Sequence, residues 1–309
     1  MSSYVSNNRF GKAARHLFGL AEDIAHLNHG SFGATPREIL TAQRAYQDEM
    51  EREPSGFMQT RFPALIRRAA SVLASYVNAN ADEIALVENA TAGVNAIIGS
   101  LIFAPGDEIL ITNQTYGAVR NTVAHACART RASLVTVDLP FPDPDDGAII
   151  AAFTNGLSKR TKLVIIDHVT SPTALILPVA KLAVEARKTN SRILVDGAHA
   201  PGMVPLDLAD IDCDHYTGNC HKWLCAPKGA GFLWSNRAFL AETHPSVISH
   251  GHDQGYVAEF DWTGTRDASA QFVLLETMAF LNRLGADDIK AHNHALALTA
   301  AEALASTWK

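Results

Sequence analysis

Short apolar runs alternate with amphipathic stretches through the middle of this chain, from about residue 84 to residue 234. Leu163-Val-Ile-Ile166 and Ile193-Leu-Val195 are apolar at every position. A strand with one wet face alternates polar and apolar residues. Continuous runs therefore mark strands buried on both faces, as in a mostly parallel sheet covered by helices. The pattern predicts strands at 84–87, 108–112, 133–137, 162–167, 192–195, 214–217 and 231–234. Helical periodicity predicts helices at 63–77, 91–103, 116–129, 147–157 and 178–189. An earlier helix begins near Thr35, which suits the N-cap, with Pro36 in the first turn and Glu38 at the capping-box position. Beyond Arg266 the pattern becomes nearly continuous helix, 268–306.

These elements predict an α/β fold, a mostly parallel seven-stranded sheet with helices on both faces. The expected divisions are an N-terminal arm at 1–26, a large domain at 27–266 and a helical stretch at 267–309. The last of these stops inside Ala-rich helix, so we expect it to be the start of an incomplete small domain. Ligands of such sheets sit at the carboxyl ends of the strands.

Composition narrows the partners. A net charge of −6 offers no basic surface for nucleic acid or an anionic membrane. No apolar run approaches the ~20 residues that span a bilayer. Residues 1–10 lack the apolar centre of a signal peptide. A cytoplasmic setting is expected, with Cys127, Cys213, Cys220 and Cys225 as reduced thiols. Cys213, His215, Cys220 and His221 do not have the spacing of a zinc site, so no metal is expected.

Four stretches carry candidate chemistry. Tyr216-Thr-Gly-Asn-Cys-His-Lys222 lies between two predicted strands, where a partly buried lysine amine can condense with an aldehyde. An ordinary surface lysine would look the same. Asp196 closes the apolar strand at 192–195 and is followed by glycine, which points a carboxylate into the crevice at the strand end. A cap on the next turn is the plain alternative. After Leu86-Val-Glu-Asn89, the helix start at Thr91 and Ala92 has no acidic residue in its first turn, which suits a phosphate. Finally, Gly264-Thr265-Arg266 sets a hydroxyl and a guanidinium beside a glycine.

In order, these pieces resemble the class V aminotransferase family, closest to its isopenicillin N epimerase-like branch and related to cysteine desulfurases. The resemblance rests on Asn28-His-Gly-Ser-Phe-Gly33, Asn89-Ala-Thr-Ala-Gly-Val-Asn95, Asp167-His-Val-Thr-Ser-Pro-Thr173, Asp196-Gly-Ala-His-Ala-Pro-Gly202, Thr217-Gly-Asn-Cys-His-Lys-Trp223 and Asp261-Trp-Thr-Gly-Thr265. It implies a fold type I enzyme with pyridoxal 5'-phosphate (PLP) as cofactor, and Lys222 as the Schiff-base lysine that shuttles a proton at Cα. Asp196 would pair with the ring nitrogen and Tyr116 would stack on the ring. Thr91, Ala92, Asn219 and His221 would hold the phosphate, and Ser171 and His199 would lie near the ring hydroxyl. Thr265 would reach the phosphate of a neighbouring subunit, which implies a homodimer with the site at its interface. Asn28 and Arg61 are weaker candidates for the amino-acid substrate. The implied activity is epimerase-like chemistry at Cα. A PLP-dependent C–S lyase or desulfurase-like enzyme is the alternative, although none of the four cysteines falls where a desulfurase keeps its nucleophile. A non-catalytic remnant of the fold is the reading from another class.

Overall fold

The apolar runs form seven strands: β1 (Ile84–Val87), β2 (Glu108–Thr112), β3 (Ser133–Val137), β4 (Thr161–Asp167), β5 (Arg192–Gly197), β6 (His215–Asn219) and β7 (Gly231–Ser235). The computed structural model describes residues 9–308. The strands join one sheet in the order β1-β7-β6-β5-β4-β2-β3. From β3 to β6 all neighbours are parallel, and β7 runs antiparallel to both β6 and β1.

The helices, in chain order, are α1 (Arg37–Arg52), α2 (Pro54–Gly56), α3 (Phe62–Val77), α4 (Ala90–Ser100), α5 (Gly117–Thr130), α6 (Asp146–Gly156), α7 (Val179–Arg187), α8 (Tyr256–Asp261), α9 (Ser269–Phe272), α10 (Leu274–Leu284) and α11 (Ala286–Thr307). Alternate residues of each strand feed two cores. Val164, Ile166, Ile193 and Val195 pack with α3, α6, α7 and α10 on one face. Leu163, Ile165 and Leu194 pack with α4, α5 and α8 on the other. Covering both faces is what allows the central strands to be apolar throughout.

Three details depart from the sequence expectation. Helix α1 starts one residue later, with Pro36 at ψ 147 as its N-cap. Thr35 instead donates its hydroxyl to the Ala226 carbonyl at 3.3 Å, and Glu38 pairs with Arg283, so no capping box forms. Helix α4 ends at Ser100 because Leu101 turns extended (φ −87, ψ 138). The C-terminal helix is broken at Val273 and again at Gly285, whose φ of 82 suits glycine. The core also continues past Arg266, since Phe272, Val273, Leu274, Phe280 and Leu281 belong to the α3 side of the sheet. Helix α11 buries none of its residues.

A long-range contact sets the position of the lysine loop. The loop around Gly33 lies directly on the backbone of residues 221–222. A Cβ on Gly33 would fall 2.3 Å from the His221 carbonyl oxygen and 2.6 Å from that of Lys222. His29 bonds the same Lys222 carbonyl through Nε2 at 3.1 Å. We predict that Gly33→Ala forces these backbones apart and costs about 1–3 kcal/mol of stability. Thermal unfolding would check it, and an unchanged melting temperature would refute the contact.

Two buried rings govern acid stability. Burial holds His168, whose Nδ1 meets the Tyr216 hydroxyl at 2.8 Å, down to about 4. It holds His215, bonded to Ser235, down to about 3. Both folded values lie below the ordinary 6.5, so the unfolded chain takes up protons first as the pH falls. Their contribution is therefore whole above about pH 6.5 and drains away towards pH 4 and below. For His168 it amounts to about 3 kcal/mol at most. His168→Asn, which cannot titrate, is expected to make the acid limb of a melting-temperature profile shallower, and an unaltered slope would contradict this.

Candidate active site

The parallel pairing brings the ends of β4, β5 and β6 to one edge of the sheet. Asp167 of β4 faces Asp196 of β5, and Asp196 faces Thr217 of β6. A cavity of about 390 Å³ opens at that edge, within the usual size range of small-molecule sites. Loop residues after β1, β4, β5 and β6 line it, together with Ser31, Phe32 and Tyr116.

Eight of the sequence candidates line this one cavity: Thr91, Tyr116, Ser171, Asp196, His199, Asn219, His221 and Lys222. Lys222 and Asp196, 26 residues apart in sequence, thus share a pocket. Four candidates lie elsewhere. The amide of Ala92 donates to the Asn89 side chain at 3.0 Å. Thr265 is exposed and outside the cavity wall of its own chain. The Asn28 side chain accepts from the Ser31 amide at 3.2 Å. Arg61 is paired with Glu49 at 2.8 Å.

At the start of α4 the backbone donors are partly spoken for. Asn219 Oδ1 accepts from the Ala90 amide at 2.8 Å, and Asn89 caps Ala92. Among the described residues nothing accepts from the Thr91 amide between them. The first turn carries no acidic residue. An unpaired amide at the positive end of a helix, facing a cavity, is a ready anion site.

Burial dominates the electrostatics. It lowers the Lys222 amine below its ordinary value, against the opposing pull of the Asp196 charge. It pushes His199 down to about 4, helped by the Lys222 charge, so the ring is neutral. His199 Nε2 meets Lys222 Nζ at 2.9 Å. His221, also lowered by burial, bonds the Ala230 carbonyl through Nδ1 at 3.3 Å. With that proton committed, Nε2 can donate to an anion only when the ring gains a second proton. Asp196 accepts from the Ala198 amide at 3.0 Å, and burial raises it.

The cavity also contains groups that the sequence candidates omit. Asp167 is 3% exposed and accepts a hydrogen bond from the Thr115 hydroxyl at 3.0 Å. Burial and the Asp196 charge push it up to about 8. Its sequence signal matches that of Asp196, a carboxylate closing an apolar run. Glu88, Phe32 and Lys228 line the cavity as well. Glu88 and Phe32 fall inside stretches singled out in the sequence, without a role of their own, and Lys228 lies outside them.

With this geometry in hand, comparison with known proteins gives a consistent picture. The sequence pattern described as "Aminotransferase class-V" matches residues 33–308. The chain is 34% identical to an L-cysteine desulfhydrase of Arabidopsis thaliana over 92% of its own length and 67% of that protein. It is also 34% identical to isopenicillin N epimerase of Streptomyces clavuligerus, covering 92% of this chain and 75% of the other. Against these and two relatives from Oryza sativa subsp. japonica it spans 63–75% of the other protein's length. Among solved structures, a mutant of C-DES with glycine covalently linked to the PLP cofactor superposes with a TM-score of 0.78. That match has 25% identity and covers 90% of this chain and 76% of that one. The chain belongs to the aminotransferase class-V family.

Proposed function

We propose that this chain is the cofactor-binding part of a PLP-dependent enzyme that acts at the Cα of an amino acid. The observation that carries the reading is the shared cavity of Lys222 and Asp196, with the start of α4 on its wall. The residues fit the cofactor. Thr91, through its unpaired amide, and Asn219, through the side-chain nitrogen left over from bracing Ala90, would hold the phosphate. Tyr116, 48% exposed, offers a ring face to the cofactor. Ser171 and His199 would lie near the ring hydroxyl, and Asp196 would pair with the ring nitrogen. When bound, the cofactor supplies an electron sink for the pair left on Cα.

The chain's own groups do the rest. Lys222 would hold the cofactor through its amine and move the proton at Cα, a task that burial favours by lowering the amine below its ordinary value. Neutral His199 holds Nζ in place through its 2.9 Å contact. The carboxylate of Asp196 keeps the ring nitrogen protonated.

Within this chemistry we favour an epimerase-like reaction. A C–S lyase is the second reading, supported by the 34% identity to an L-cysteine desulfhydrase. A homodimer with the site at its interface belongs to the same proposal. Its support is the exposure of Thr265, of Phe32 (70%) and of Leu27 (91%). A cytoplasmic setting belongs to it too, supported by four free cysteines.

Borohydride reduction of the cofactor-loaded protein is expected to fix the label on Lys222. Lys222→Ala should lose that label and lower turnover at least about 10²- to 10⁴-fold. Label on another lysine would overturn the assignment, and label without any response to amino acids would support a non-catalytic remnant. Exchange of the Cα hydrogen in heavy water without keto-acid release would mark epimerisation, whereas pyruvate and sulfide release from cysteine would mark the lyase.

A further inference from the structure

We propose that Asp167 is a positioning residue of this site: it holds a proton beside an ionised Asp196, so that a single negative charge faces the cofactor's ring nitrogen. The inference rests on the role given to Asp196 above and adds a second carboxyl to it.

Asp167 and Asp196 are the terminal carboxyls of two neighbouring parallel strands and are Cα partners in the ladder. Strands pair about 4.8 Å apart, and these two side chains are 3% and 4% exposed in the wall of the same cavity. Two carboxylates so close and so dry do not both ionise, and the pair keeps a proton. Its location follows from the neighbours. Asp196 accepts from the Ala198 amide and feels the Lys222 charge, both of which favour its anion. Asp167 also accepts hydrogen bonds that favour its anion, but among the described residues no cation adds to them, and burial and the Asp196 charge outweigh them. Facing it are the Thr115 hydroxyl, the Tyr116 amide and Asp196 itself. The adjoining His168 is neutral and turned to Tyr216, and His199 is neutral and bonded to Lys222. Burial and the Asp196 charge accordingly push Asp167 up to about 8.

The arrangement has a purpose. One charge behind the ring nitrogen is enough to keep it protonated, and a second would add like-charge repulsion between two buried neighbouring carboxylates. A neutral Asp167 occupies the strand end without adding that charge, and its hydrogen bond to Thr115 ties the end of β4 to the loop that carries Tyr116.

The test uses cofactor-free protein labelled with carbon-13 at the aspartate carboxyls and titrated by NMR. One carboxyl resonance is expected to titrate near pH 8. It should vanish in Asp167→Asn and move to lower pH in Asp196→Asn, where the neighbouring charge is gone. The proposal is overturned if no aspartate titrates above the ordinary carboxylate range, or if the displaced resonance survives in Asp167→Asn. It is also overturned if Asp196→Asn leaves the resonance in place, a result that needs no folded Asp167 variant. Borohydride labelling separates the two layers. Label on Lys222 without the titration sinks this inference alone, whereas the titration without label sinks the cofactor reading.

Discussion

Strands β4, β5 and β6 are parallel and in register, so Asp167, Asp196 and Thr217 form one row across the sheet. Everything at the site is measured from that row. Two residues beyond Thr217, Asn219 reaches sideways to the first amide of α4 and so joins the lysine strand to the start of that helix. Three residues further, Lys222 lines the same cavity as Asp196. A slip of one residue in the β5–β6 ladder would send these side chains to the opposite face. Gly197 shows how tightly the register is held, since a Cβ there would fall 2.1 Å from the buried Tyr216 ring.

Burial then sets the charge states on this frame. A dry site disfavours every isolated charge, which pushes the amine and imidazoles towards neutrality and the carboxyls towards their acids. The pull is opposed only where a partner exists. Asp196 has a cation and an amide near it, whereas His199 has only the cation and loses its proton. The outcome is a lysine whose charge burial disfavours, next to a ring that cannot compete with it for a proton.

Much of this was legible in the chain. Runs apolar at every position gave away the parallel strands, because only burial on both faces permits them. The order of a small-residue helix start, a strand-closing Asp196 and Lys222 marked the site, and eight of the candidates share one cavity. What escaped depends on contacts between distant segments. Thr35 looks like a cap, yet its hydroxyl is claimed by Ala226, 191 residues away. Gly33 looks like a turn residue, yet it is the gap through which the lysine loop passes. Asp167 had the same local signal as Asp196, a carboxylate ending an apolar strand. Its importance emerges only once the two strands are known to be neighbours, because strand order is not written in local periodicity.

The choice between epimerisation and C–S cleavage comes down to a second proton donor. Epimerisation returns a proton to Cα from the side opposite to the base that removed it. His199 cannot be that donor independently, since it is bonded to Lys222 and serves the same proton. Asp196 has the ring nitrogen as its proposed partner. Of the titratable groups in the wall, Asp167, Glu88, Tyr116, His221 and Lys228 remain; Asp167 is held at the strand end by the Thr115 hydroxyl, and His221 has its one proton engaged with Ala230. C–S cleavage makes a different demand, for an acid near the departing sulfur, with no need for a donor across the plane from Lys222. The two reactions therefore share every residue that holds the cofactor and differ in which of Glu88, Tyr116 and Lys228 comes within hydrogen-bond reach of the substrate. Such a division explains how epimerases and desulfhydrases can share a third of their residues with this chain, since what separates them is a few side chains at the cavity wall.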